Sequence, residues 1–248
     1  METKEKKNTY NTENLLRVLA EPNHDRKALW CAFINAKNVK KVAEIGVYKG
    51  VFAEAILRHC HAVDVYYMID PWKNLPNWNK PSNKPDHAFE SIFQEAIDRN
   101  SPWKERLQIL RGRTEEVIDT IPDESVDFIY VDGDHTLQGI TIDLINAYRK
   151  IPIGGFLAGD DFTPSIWQHY DKFEPTFVFP FAVHFARAVG AIIYGLPGNQ
   201  FLIEKQDRRN YEFKDLTGAY TDLSINRQTR RPTGIRQWLI DRGRKKKK

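Results

Sequence analysis

Asp132-Gly133-Asp134-His135 and Asp160-Asp161 are the residues of this chain whose types and spacing point most directly to chemistry. Each group follows an apolar run, Phe128-Ile129-Tyr130-Val131 in one case and Phe156-Leu157-Ala158-Gly159 in the other. Carboxylates gathered this closely repel one another unless something cationic lies between them. The histidine beside them can take or give a proton near neutral pH. A hard divalent cation held by oxygens, with a base nearby, is the chemistry such a set could perform.

The two groups are 28 residues apart, with a helical pattern between. Each apolar run therefore reads as a buried parallel strand, and the pair as one strand–helix–strand unit. In an open sheet wound this way, ligands bind outside the carboxyl ends of the strands. Asp132, Asp160 and Asp161 are thus expected at one rim.

The remaining elements follow the same alternation. Residues 12–36 carry two short helical patterns broken at Pro22-Asn23, and 39–45 is a first strand that turns through Gly46 to Gly50 into a helix ending near His59. A second strand, 63–69, ends at Asp70. Residues 71–85 hold four prolines and four asparagines with Trp72 and Trp78, which predicts a long loop suited to covering a site. Helix 86–99, strand 107–110 and a short helix at 114–120 precede the two strands above. A helix near 181–189 and a hairpin turning at Leu196-Pro197-Gly198-Asn199 complete the order. The expectation is an α/β fold, Rossmann-like and doubly wound. Its sheet should be mostly parallel and seven-stranded, with an antiparallel C-terminal hairpin. Residues 1–37 read as a helical extension, 38–205 as the main domain and 206–248 as a basic tail.

Composition narrows the class. The chain is 248 residues long, 41% apolar and 12% aromatic, enough for one full-sized core. Cys31 and Cys60 form no CxxC pair, which argues against a zinc cluster or disulfide framework and suits a reducing, cytoplasmic setting. No secretory leader or membrane span is expected. From Ile225 onward ten basic residues face Asp241 alone, so a net charge of +4 conceals an acidic body. The tail is either a solvated extension or an arm for phosphates.

The first two strands also end in polar or glycine features. Glu44-Ile45-Gly46-Val47-Tyr48-Lys49-Gly50 has the form E-x-G-x-x-x-G, and Asp70 stands 24 residues after Gly46. Such glycines let backbone approach a ligand, and such an acid can accept the hydroxyls of a ribose. Tight turns alone would also explain both.

Glu44 to Gly50, Ile69 to Trp72, Asp127 to His135 and Gly154 to Phe162 together resemble the class I S-adenosylmethionine-dependent methyltransferases. Within them, the chain looks like the small-molecule and sugar O-methyltransferases of the macrocin type. The resemblance covers roughly residues 38–205. It implies that Glu44, Gly46 and Gly50 line the methionine part of the cofactor and that Asp70 holds its ribose, with Trp72 and Asp132 alongside. Gly112, Arg113 and Thr114 fall where the family contacts adenine. Asp132, Asp160 and Asp161 match the positions that hold a divalent cation, Mg²⁺ by expectation. Asp134 or His135 would be the general base, and the acceptor would be the hydroxyl of a small molecule. The plain alternatives are that Asp160 and Asp161 cap a helix or turn and that His135 only satisfies a loop.

Three other functions compete. A nicotinamide-dependent oxidoreductase would want G-x-G-x-x-G, which is absent, and leaves the three acids unexplained. A nucleic-acid methyltransferase or binding protein would use the basic tail, but the body is acidic and the tail follows the core. A cofactor-binding fold without catalysis is the third. Oligomeric state and acceptor identity are left open.

Overall fold

The computed structural model describes residues 11–20, 25–169, 172–220 and 229. Two helices come first, α1 (Thr12–Leu19) and α2 (Arg26–Ala36), capped by Asn11 and Asp25, whose side chains accept N–H bonds from the first turn. The parallel strands are β1 (Lys41–Ile45), β2 (Val65–Asp70), β3 (Leu107–Arg111), β4 (Phe128–Val131) and β5 (Phe156–Gly159). Between them run α3 (Val51–His59), α4 (Asp86–Asn100), the four-residue α5 (Thr114–Val117) and α6 (Leu137–Lys150). Helix α7 (Val178–Val189) leads to β6 (Ile192–Leu196), β7 (Gln200–Glu204) and β8 (Glu212–Asp215).

The strands form one sheet in the order β3-β2-β1-β4-β5-β7-β6-β8. Strand β7 runs antiparallel to β5 and β6, while β8 pairs parallel with β6. The expected seven strands are therefore eight. The added strand lies beyond residue 205, in the segment read as tail, and Tyr220 is buried against Phe162 and Phe179. Pairing with the edge of β6, not an apolar run of its own, makes β8 a strand.

Alternation along each strand divides the core. Val42, Tyr66, Met68, Phe128, Tyr130 and Phe156 face α1 to α4, and Ala43, Ile45, Ile129, Val131 and Leu157 face α6 and α7. Helix α2 is deeply embedded: Trp30 and Phe33 are fully buried against Phe128, Tyr130 and Phe156. The order in which strands are added reverses between β1 and β4, which run parallel, and this switch point is where a crevice opens at the carboxyl ends. No helix among the described residues is long and apolar enough to cross a membrane.

Candidate active site at the carboxyl ends of the strands

Asp132 follows β4, Asp160 and Asp161 follow β5, and His135 lies in the short loop before α6. Sequence-distant residues complete the cluster. Arg26, the first residue of α2, sets Nη1 2.9 Å from Asp132 Oδ2 and also donates it to Asp160 Oδ2. The other Asp160 oxygen accepts from Gln200 Nε2 at 2.6 Å and from the Asp161 N–H at 2.8 Å. Asp161 Oδ2 lies 2.6 Å from His135 Nδ1, and its Oδ1 accepts from Gln168. His135 Nε2 is buried, has no hydrogen-bond partner and stands 3.6 Å from Asp132 Oδ1.

Burial, reinforced by Asp160, raises Asp132 to about 7 against the pull of His135 and Arg26. Burial alone would lower His135, but Asp161 and then the other two acids outweigh it and lift the imidazole to about 9. Asp161 is the partner that gains: although burial opposes it, His135 and Gln168 hold its carboxyl well below the usual range. Burial and the Asp161 charge raise Asp160.

One ligand atom each from Asp132, His135 and Asp161 lies within 4.8 Å of the others. Two carboxylates and an imidazole form a donor set that fits a divalent ion of the first transition row. Asp160, expected in that set from the sequence, bonds to Arg26 and Gln200, and His135 is the third residue grouped with Asp132 and Asp161.

Asp134 accepts Trp78 Nε1–H at 2.8 Å and the Thr136 N–H at 2.9 Å through the same oxygen. Its carboxyl rests on Gly139, where a Cβ would lie 2.1 Å from Asp134 Cγ. Trp78 thus brings the 71–85 loop over the rim. Lys80 pins that loop from beneath, donating to the carbonyls of Glu174 and Pro175 at 2.9 Å each.

At the ends of β1 and β2, Glu44 is buried and accepts the Tyr66 hydroxyl at 2.7 Å; burial raises it to about 8. Asp70 accepts the N–H groups of Tyr48 at 2.8 Å and Trp72 at 2.7 Å, tying the two strand ends together. The Trp72 ring is buried against Phe93 and donates Nε1–H to the Tyr48 carbonyl at 2.7 Å. Gly46 and Gly50 have packing reasons of their own: a Cβ would meet the Asp132 carbonyl oxygen at 2.2 Å and Asn100 Nδ2 at 2.4 Å, respectively. Gly112 donates its N–H to the Asp70 carbonyl, Arg113 pairs with Glu115 and Glu116, and buried Thr114 donates to Asp143 at 2.6 Å. Tyr48, Trp72 and Asp161, each just past a strand end, all have positive φ (51°, 39° and 58°). Backbone held in this region by bulky residues concentrates at functional sites.

Arg26, Gln200 and Gln168 carry no local motif that would mark them in the sequence. Asp25 as a helix cap was the one available signal that Arg26 begins a helix. The tail beyond Tyr220 lies outside the described residues apart from Thr229, and its two readings with it.

An open sheet of this strand order, with glycine turns and acids at the rim of its switch point, is the α/β Rossmann-like fold that solved methyltransferases share. Residues 43–162 match the family model described as a methyltransferase domain. No curated protein matches the chain as a relative. Among solved structures, a putative caffeoyl-CoA O-methyltransferase from Staphylococcus aureus is 16% identical with a TM-score of 0.54, over 78% of this chain and 91% of that one. The O-methyltransferase TomG from Streptomyces achromogenes, involved in tomaymycin synthesis and solved with S-adenosylmethionine, is 13% identical with a TM-score of 0.51, over 78% and 87%. A putative O-methyltransferase from Klebsiella pneumoniae is 15% identical with a TM-score of 0.50, over 79% and 89%. These likenesses are likenesses of fold.

Proposed function

We propose that this protein transfers the methyl group of S-adenosylmethionine to a hydroxyl of a small molecule, assisted by a divalent ion at Asp132, His135 and Asp161. The observation that carries this reading is the convergence of those three ligand atoms, with a buried and unpartnered imidazole nitrogen, at the switch-point rim. The neighbours' names as O-methyltransferases support oxygen as the accepting atom.

In the reaction a carbon–oxygen bond forms as the carbon–sulfur bond breaks, the acceptor loses its hydroxyl proton, and S-adenosylhomocysteine leaves. Glu44, Gly46, Gly50 and Asp70 bind the methionine and ribose parts, and the backbone at Trp72 closes that end. Gly112, Arg113 and Thr114 border the adenine. Asp132, His135 and Asp161 would hold an ion at the rim, and when bound it would supply Lewis-acid activation of the acceptor hydroxyl. The imidazole donor favours Mn²⁺ or a similar ion over Mg²⁺, which prefers oxygen ligands throughout. Asp134 takes the proton, held in place by Trp78 and Thr136. The half-buried Trp78 ring suits the C–H face of a sugar, and the loop carrying it excludes water from the rim.

The test is methyl transfer from labelled S-adenosylmethionine to a panel of hydroxylated acceptors, sugars included. Turnover with Mn²⁺ that falls at least about a hundredfold in excess chelator and in Asp161→Asn is the expected result. Full turnover in chelator would remove the ion from the account. No transfer to any hydroxyl, with transfer to an amine instead, would overturn oxygen as the acceptor.

A further inference from the structure

Asp132, Asp160 and Asp161 lie together at the rim, yet Asp160 does not join the group of possible ion ligands. Asp160 lies beside Asp161 in sequence and shares the Arg26 guanidinium with Asp132. Both of its carboxylate oxygens are already engaged, Oδ2 by Arg26 and Oδ1 by Gln200 and the Asp161 N–H. Asp132 is divided differently, with Oδ2 on Arg26 and Oδ1 toward His135.

Arg26 is held in this position from behind. Trp30, one helical turn further along α2, is fully buried and donates Nε1–H to Gln200 Oε1 at 2.8 Å. Tyr130 on β4 donates to the same oxygen at 2.8 Å. Gln200 then has its amide nitrogen aimed at Asp160. Trp30, Gln200, Asp160 and Arg26 thus form a closed circuit that fixes the first turn of α2 at the rim.

We propose that Arg26 is a specificity-determining residue: a tethered cation that withholds Asp160 from the ion and so makes the ligand set two carboxylates and an imidazole. The inference rests on the metal reading above. Coulomb's law and ligand preference supply its direction. A guanidinium bonded to a carboxylate of the ligand set would weaken binding of any divalent cation. Removing it releases a third carboxylate, and an oxygen-rich set favours the hard ion Mg²⁺. Arg26 therefore lowers affinity overall and lowers it most for Mg²⁺.

The experiment is calorimetric titration of the full chain with MnCl₂ and with MgCl₂ alone, for the parent, Arg26→Met, Arg26→Lys, Asp160→Asn, the Arg26→Met/Asp160→Asn double variant and Asp161→Asn. Arg26→Met should bind Mg²⁺ at least tenfold more tightly than the parent and gain less for Mn²⁺. The double variant should lose most of that gain, and Arg26→Lys should stay near the parent. Thermal midpoints with and without Mg²⁺ provide a second readout: Arg26→Met should be destabilised in chelator and recover more than the parent when Mg²⁺ is added. Unchanged or weaker Mg²⁺ binding in Arg26→Met, with Asp161→Asn still abolishing Mn²⁺ binding, would overturn the role of Arg26 and leave the ion site standing. A gain that persists in the double variant would overturn it too, by showing that Asp160 is not the released ligand. Absence of binding to every variant would refute the ion site and this inference together.

Discussion

Asp143 is a buried carboxyl beneath the rim, bonded by Thr114 and close to Gly133, which a larger residue would bring 3.1 Å from its Oδ2. Burial raises it to about 7, only partly offset by the Thr114 hydroxyl, from an ordinary value of 3.8. The folded protein therefore keeps a proton that the unfolded chain has lost. This stability is complete below about pH 4 and disappears as the pH rises through 7. Asp143→Asn cannot ionise and should be more stable than the parent at pH 8, by up to about 4 kcal/mol, with no gain at pH 4. Urea denaturation at the two pH values measures this; an equal difference at both would show that ionisation is not involved. Legibility from sequence differs sharply among such residues. Asp132, His135 and Asp161 announced themselves because they stand within a few residues of the end of an apolar run. Asp143 and Arg26 lie on ordinary helical patterns, and only the packing of those helices gives their charges partners.

At the scale of elements, the switch point is built by backbone contact as much as by side chains. The Asp132 N–H donates to the Ile45 carbonyl at 2.7 Å, and Gly46 with φ of 90° lets the end of β1 pass the end of β4. A Cβ there would lie 2.2 Å from the Asp132 carbonyl oxygen and 2.6 Å from Gly133 Cα, neither of which can swing aside as a side chain would. Gly46→Ala should cost at least about 2–3 kcal/mol and displace Asp132, as seen in denaturation curves. A loss under about 0.5 kcal/mol would mean that the two strand ends are not locked. The apolar strands, the 71–85 loop and the C-terminal hairpin were legible from period and turn residues. Strand β8 was not: Glu-Phe-Lys-Asp has no apolar run, and only the free edge of β6 gives it a partner. The placement of α2 was illegible for a similar reason. Its apolar spacing marks a helix, while the sheet face it covers and the first turn it delivers to the rim depend on Phe128, Tyr130 and Gln200, far along the chain.

The whole molecule is a sheet covered on both faces, whose open rim gathers charge that neither face could accept. Near one end stand two buried acids, Glu44 accepting from the Tyr66 hydroxyl and Asp70 from the backbone N–H groups of Tyr48 and Trp72. At the other stands the Asp132, His135, Asp161 group under the Trp78 loop. Both ends are proposed to serve one reaction, with the cofactor across the ends of β1 and β2. Calorimetric titration with S-adenosylhomocysteine tests that most directly, on the parent and on Asp70→Ala. The account predicts one site per chain in the parent and affinity at least about tenfold weaker in Asp70→Ala, corresponding to at least about 1.4 kcal/mol. No binding by the parent, or the same affinity in a folded Asp70→Ala, would contradict it.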